Sequence, residues 1–374
     1  MSKSKIEQLA EFGQSIWLDY ISRSLIETGK LDEMIDMGLR GMTSNPSIFN
    51  KAVSGSDDYD NAIKMAYSSN KSIFEIYDDL TVKDIQDAAD RFKEVYEQTG
   101  GLDGYVSLEI NPKLAYKTEE TIQEGKRLYR KVNRPNVMFK VPSTDAGFRA
   151  IKELISIGIN INITLIFSKE QYENTARSYL AGLENLSTNG GDVRKVHSVA
   201  SVFVSRKDTA VDNLIEEKLS EEKDNNIRSK LNLLKGKAGV ANSAIIYEKY
   251  LNIFYGEEFK KLQRKGANIQ RVLWGSTSTK NPAYSDIKYL TELIAKNTVN
   301  TVPENTLNAF LDHGIINEAL TADTTEYHKV IDELKDLGIY INDVCRKLLE
   351  DGVAAFEKAF DSLLTSIEEK AKSL

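Results

Sequence analysis

The sequence predicts a (β/α)8 TIM barrel with helical insertions and a C-terminal helical extension, and three observations lead there. Short apolar, β-branched runs alternate with long amphipathic segments rich in Glu, Lys, Ala and Leu, the pattern of βα units around a parallel sheet. The runs number about eight, which is the count that closes a parallel barrel. Polar residues that strand propensity alone would not select gather inside these runs or at their C-terminal ends, the end at which barrels build their sites. A doubly wound open sheet stays open as an alternative, because one sequence does not display a reversal of strand order.

In chain order the predicted strands are Ser15–Asp19, Gly38–Ser44, Tyr105–Ile110, Val137–Pro142, Asn160–Phe167, Val196–Val204, Arg271–Ser276 and Thr298–Val302. The polar residues among them are Asp19, Thr43, Asn45, Glu109, Lys140, Asn162, Thr164 and Ser201. Pro46, Pro112, Pro142, Pro282 and Pro303 fall at or past strand exits, where a missing N–H breaks no central ladder bond, and Pro135 precedes a strand. Two connections exceed an ordinary βα loop. Between Asn50 and Gly104 lie two helical stretches, SIFEIYDDL and TVKDIQDAADRFKEVYEQTG, the second ending at Gly100-Gly101. Between Arg206 and Ile269 lie a helix over KDTAVDNLIEEKLS and a longer one from Asn225 to Arg264 with a break near Gly236. Helical patterns then run from the last strand to Leu374, with a break at Gly338. With no repeat, low-complexity linker or composition boundary, residues 1–374 read as one domain.

Composition excludes several kinds of chemistry. The net charge is −7, and 49 basic residues are dispersed among 56 acidic ones, so the electrostatic footprint of a nucleic-acid binder is missing. No apolar run approaches the ~18 residues that a membrane span needs, and the N-terminal stretch has no signal-peptide pattern. Cys345 is the only cysteine and reads as a small apolar filler in a reducing compartment, which makes the expected location cytoplasmic. His197, His313 and His328 form no metal-binding spacing, so no metal is expected. Neither nucleotide fingerprint is present, and the GKAG at Gly236–Gly239 reads as helix packing. Lysine and carboxylates are left to carry any catalysis.

The most informative segment is NVMFKVPSTD. Lys140 stands among Val137, Met138, Phe139 and Val141, yet lysine is almost never buried without a partner. The bland explanation is a strand-end lysine snorkelling to solvent. The chemical one is a Schiff-base lysine, since an amine that its surroundings keep neutral attacks carbonyls. Such a lysine needs proton shuttles and small polar groups to hold a polyol. Asp19 and Glu109, on the first and third strands, supply carboxylates in apolar settings where a stray charge is costly. Taken singly, each also fits a helix cap or a structural ion pair.

With those residues in view, the runs TSNPS, FKVPST, NITLIFS and ASVFVSRKD, in this order, resemble the transaldolase family. The likeness extends from SIWLDYISR to the LDHG around His313, and the WGSTSTKNP segment is closest to the family's longer bacterial branch. The resemblance implies a barrel enzyme that moves a dihydroxyacetone unit between sugar phosphates without a cofactor. It implies Lys140 as the imine-forming residue and Asp19 as the acid/base at the C4 hydroxyl. Glu109 is implied to work through a water that Thr164 helps to hold. Thr43, Asn45, Asn162 and Ser201 are implied around the dihydroxyacetone unit, Phe203 beside the lysine and Arg206 at the phosphate. The second phosphate arginine of the family's shorter branch has no counterpart here, where the sequence reads GSTSTK from Gly275 to Lys280. Lys280, with Ser278 or Ser276, is the expected substitute, as a point charge instead of a bidentate fork. Two rivals remain: a fructose-6-phosphate aldolase on the same barrel, whose members are shorter and carry a site tyrosine, and a non-catalytic binding barrel. The apolar outer faces of the helices leave a homodimer open.

Overall fold

The computed structural model describes residues 3–374. Its eight parallel strands are β1 (Gln14–Asp19), β2 (Gly41–Thr43), β3 (Tyr105–Glu109), β4 (Val137–Pro142), β5 (Ile161–Ile166), β6 (Ser198–Phe203), β7 (Arg271–Gly275) and β8 (Thr298–Val302). They pair in sequence order and close where β8 meets β1, so the closed barrel stands and the open-sheet alternative falls. Each strand lies within about two residues of its predicted span except β2. There Gly38, at φ +106°, ends the preceding helix, and only Gly41–Thr43 pair. Asn45, just past both the predicted and the observed strand, caps the next helix, its side chain accepting from the Ile48 N–H at 3.0 Å.

The helical insertions also depart in detail. SIFEIYDDL and TVKDIQDAADR form one continuous helix, Ile73–Arg91, started by the Ser72/Glu75 capping box, with a short helix Lys93–Gln98 before the Gly100-Gly101 stop. The segment after Asn225 is three helices, Asn225–Leu234, Ala238–Phe254 and Glu257–Gln263. Gly236, at φ +68°, makes the predicted break, and a second falls at Gly256. Beyond β8 the helices are Glu304–His313, Thr325–Asp336 and Ile341–Ser373, with Gly338 at φ +74° before the last.

Inside the barrel, alternate residues of the strands stack in layers. The middle layer is apolar: Trp17, Tyr105, Met138, Val199, Leu273 and Val299 form one buried cluster. Trp17 fits because β2 offers Gly41, where an added Cβ would fall 2.7 Å from the indole. Below this layer, at the N-terminal ends of the strands, a polar plug closes the barrel. Asp103 accepts from Ser15 Oγ at 2.7 Å, Arg271 at 2.7 Å and Trp17 Nε1 at 3.2 Å, and Arg271 also donates to Ser15 Oγ and to the Leu102 carbonyl. Above it lie the polar residues of the C-terminal ends.

The final helix, Ile341–Ser373, is more than a tail. Its apolar stripe, including Val353, Phe356, Phe360, Leu363 and Ile367, is buried. It packs against the end of β5 and against the helices Pro46–Ser54, Asp60–Ser68 and Ile73–Arg91, so it runs past the C-terminal end of the barrel. Among the described residues no helix is long and apolar enough to cross a membrane, and no cluster of His, Cys, Asp and Glu is placed to hold a metal. Cys345 is buried against the Phe167 carbonyl, as a packing residue.

Candidate active site

Strand register assembles the centre. Glu109, Lys140 and Asn162 are neighbours on β3, β4 and β5, in the pairings Glu109 with Lys140 and Lys140 with Asn162. Asp19 pairs with Thr43 across β1 and β2. Lys140 is 5% exposed, so the lysine is buried and does not snorkel. Its Nζ lies 3.0 Å from Glu109 Oε2 and donates to the Ser44 carbonyl at 3.0 Å. Glu109 is equally buried, and burial raises its carboxyl above the usual range against the opposing pull of Lys140.

Asp19 stands at the cavity wall, its Oδ1 accepting from Thr43 Oγ1 at 2.8 Å, and Thr43 in turn meets Thr301 Oγ1 at 2.8 Å. Desolvation by the surrounding protein raises the Asp19 carboxyl as well, with Lys140 and Thr43 opposing it. Two buried oxygens here, Glu109 Oε2 and Thr164 Oγ1, have no hydrogen-bond partner among the described residues beyond the lysine contact. Unpaired buried polar atoms are rare and mark a place for a water or ligand atom.

A local distortion sets Thr164. The β5–β6 register shifts between Ile163 and Ile166, and Leu165 between them adopts φ +59°, a left-handed conformation that costs a non-glycine residue about 1–3 kcal/mol. The Leu165 carbonyl is tied down by Ser143 Oγ at 2.9 Å and Gln171 Nε2 at 3.2 Å.

These groups open into a cavity of roughly 450 Å3 at the C-terminal mouth. Lys51, Arg206 and Lys280 bring positive charge to its lining, with Ser276 and Ser278 between them. Arg206 lies in the first turn of the helix Ser205–Glu221, and its guanidinium stands 5.5 Å from the Phe203 ring. Ser205 Oγ meets Ser276 Oγ at 3.1 Å, and Lys280 Nζ donates to Ser278 Oγ at 2.7 Å. A wider groove of about 600 Å3 between Arg23, Met65 and Lys83 lies on the outer helices, away from this chemistry.

A family model described as transaldolase/fructose-6-phosphate aldolase matches residues 16–367 of the chain. The chain belongs to this family. A transaldolase of Trichodesmium erythraeum is 46% identical, with all of this chain and 99% of that protein aligned. A protein named transaldolase 2 from Nostoc sp. is 41% identical over the same shares. A transaldolase of Saccharopolyspora erythraea is 42% identical, over 99% of this chain and 98% of its own.

Of the residues that the resemblance to the transaldolase family singled out, Asp19, Thr43, Asn45, Lys140, Thr164, Ser201, Phe203, Arg206, Ser278 and Lys280 all line the cavity. Glu109 sits beside Lys140 just behind the lining. Asn162 lies deeper: it is fully buried and donates to Ser107 Oγ at 3.0 Å, while its Oδ1 accepts from Ser201 Oγ at 2.6 Å. It is the second residue of β5 and not its end, because barrel stagger brings that position level with Lys140. After β7, Ser276 and Ser278 both line the cavity.

Sequence reasoning passed over Lys51, Thr301 and Phe356, which also line the cavity. Thr301 carried a usable signal as a polar residue near the exit of the last strand, spaced by two from Val299. Lys51 and Phe356 carried none, since one sits in an ordinary amphipathic helix and the other in an apolar stripe.

Proposed function

We propose that this chain catalyses the transaldolase reaction. A dihydroxyacetone unit passes from sedoheptulose 7-phosphate to glyceraldehyde 3-phosphate, giving erythrose 4-phosphate and fructose 6-phosphate. The observation that carries the reading is the buried Lys140–Glu109 pair beside the unpaired Thr164 hydroxyl, with Asp19 across the same cavity.

Lys140 first passes a proton to Glu109, whose raised carboxyl makes it a ready acceptor, and the freed amine adds to the ketone carbon. A water between Glu109 and Thr164 then carries protons as the carbinolamine loses hydroxide and becomes a protonated imine. Asp19 takes the C4 hydroxyl proton while the C3–C4 bond breaks. The aldose phosphate leaves, and the bonding electrons settle in an enamine on Lys140. An acceptor aldehyde meets the nucleophilic carbon, Asp19 returns the proton to the new hydroxyl, and water hydrolyses the imine. Thr43, Asn45 and Ser201 hold the dihydroxyacetone hydroxyls, with Asn162 setting the Ser201 hydroxyl from below. Phe203 shields the lysine, and Arg206, Lys280 and Ser278 take the phosphate, whose binding energy positions the reacting carbons.

On this reading residues 1–374 act as one catalytic domain, in the cytoplasm. The aldolase reading is disfavoured because the aligned relatives bear the transaldolase name from end to end. Borohydride reduction in the presence of fructose 6-phosphate, followed by peptide mass mapping, is expected to place a covalent three-carbon or six-carbon adduct on Lys140. An unmodified Lys140 overturns the mechanism, and stoichiometric accumulation of free dihydroxyacetone overturns transfer in favour of the aldolase.

A further inference from the structure

The final helix presents one aromatic ring to the cavity that the reaction above does not use. The Phe356 ring centroid lies 5.9 Å from Lys140 Nζ, and its side chain is 7% exposed. It belongs to the same apolar cluster as Leu165, Phe167, Phe203 and Val353, whereas Ser44 and Glu109 meet the amine with polar atoms. The amine therefore has a polar side, formed by Glu109 and the Ser44 carbonyl with the Thr164 hydroxyl in the same cavity, and an apolar side on which Phe356 of the final helix stands.

The helix is pinned on both sides of this ring. Towards the N-terminus, Gly352 lets its backbone approach Leu165 closely, since an added Cβ would stand 3.1 Å from a Leu165 methyl. Towards the C-terminus, Phe360 meets the Tyr77 ring edge-on at 5.1 Å, Asp361 pairs with Lys113 at 2.5 Å, and Lys370 pairs with Asp60 at 2.5 Å. Phe356 is thus held in place by contacts that are not themselves part of the site.

We propose that Phe356 is the water-excluding wall behind Lys140, and that it sets how the enamine divides between capture by an aldehyde and release as free dihydroxyacetone. The inference rests on the transaldolase reading. The enamine has two exits. In transfer, its nucleophilic carbon bonds to the acceptor carbonyl carbon. In release, that carbon instead takes a proton from water, restoring the iminium. The hydroxide left by that water adds to the iminium carbon, and the hydroxyl proton of the resulting carbinolamine passes to nitrogen as the C–N bond breaks, which frees dihydroxyacetone and the Lys140 amine. No electrons enter or leave. Release needs water to reach the nucleophilic carbon before the acceptor does, and an aromatic wall denies solvent one approach while leaving the Glu109–Thr164 side open for imine formation.

The test compares full-length wild type, Phe356→Ala, Phe356→Leu and Phe360→Leu. With fructose 6-phosphate alone, free dihydroxyacetone is measured. With erythrose 4-phosphate added, sedoheptulose 7-phosphate is measured. The ratio of release to transfer is expected to rise about tenfold in Phe356→Ala and about twofold to threefold in Phe356→Leu, which keeps part of the apolar bulk. Phe360→Leu is expected to lower the melting temperature without moving the ratio. An unchanged ratio in Phe356→Ala, or an equal rise in Phe360→Leu, overturns the proposal. Should the alanine variant not fold, the leucine variant decides by the same criterion. A wild type that neither traps on Lys140 nor transfers defeats the transaldolase reading itself, which is a different result from a wild type that transfers and a ratio that does not move.

Discussion

The two ends of the barrel use the same kinds of residue in opposite ways. At the N-terminal end, Asp103 and Arg271 are a buried ion pair in which both carboxylate oxygens are taken up by Ser15, Trp17 and the guanidinium. At the C-terminal end, Lys140 and Glu109 are equally buried, at 3.0 Å against 2.7 Å for the other pair, but the carboxylate and the neighbouring Thr164 hydroxyl are left with unmet hydrogen-bonding capacity. A saturated pair anchors strands and is costly to break, while an unsaturated one holds potential for a reacting molecule. The carboxyls of Asp19 and Glu109 are raised by desolvation, so the reactive end carries a stability burden for the sake of chemistry.

The largest test of this contrast is Asp19→Asn. Turnover is expected to fall about 10²-fold to 10⁴-fold, while borohydride still traps the imine on Lys140. The same variant is expected to melt higher than wild type at pH 8. The native carboxyl is raised above its unfolded value, so ionised Asp19 costs stability at high pH. The gain should shrink as the pH falls through the raised value. Normal turnover would remove Asp19 from its assigned role.

Next comes Asp103→Ala at the other end, which strands Arg271 in the plug. Chemical denaturation should show a loss of about 3–5 kcal/mol, with kcat at a permissive temperature close to wild type. A loss of kcat as large as that of Asp19→Asn, without unfolding, would break the division between the two ends.

The smallest effect concerns His197, which lies at the plug 5.6 Å from the Tyr105 ring. Burial, with Arg271 assisting, lowers it from 6.5 to about 4. The unfolded chain therefore binds a proton that the native state does not between those values, and stability falls as the pH drops through that window. In His197→Asn the stability curve from pH 6.5 to 4 should be shallower. An unchanged slope would remove His197 from the acid sensitivity of the fold.

The strands were legible because a parallel barrel buries both strand faces, so its runs stand out as β-branched and apolar, and because Lys140 in VMFKVP violates that pattern. The short β2 was overread because Gly38 is needed at a positive φ, a requirement that a strand pattern does not reveal. The two helical stretches after Asn50 merged because neither Pro nor Gly separates them. Of the site, the polar residues on strands were visible as exceptions to burial, and TSNPS and FKVPST tied them to a family. Phe356 was invisible because an apolar residue at helical spacing looks the same whether it faces a core or a cavity.

By itself the sequence determined the alternation of about eight strand runs with helical segments, the lack of metal-binding spacing among its histidines and cysteine, and the anomaly of Lys140 in an apolar run, since each follows from local pattern and residue type. Tertiary structure decided which groups meet. Barrel stagger sets Asn162 level with Lys140, the bulge at Leu165 aims Thr164, and the final helix returns to place Phe356 over the amine. Those placements depend on register and on contacts between residues far apart in the chain, and local periodicity does not encode either.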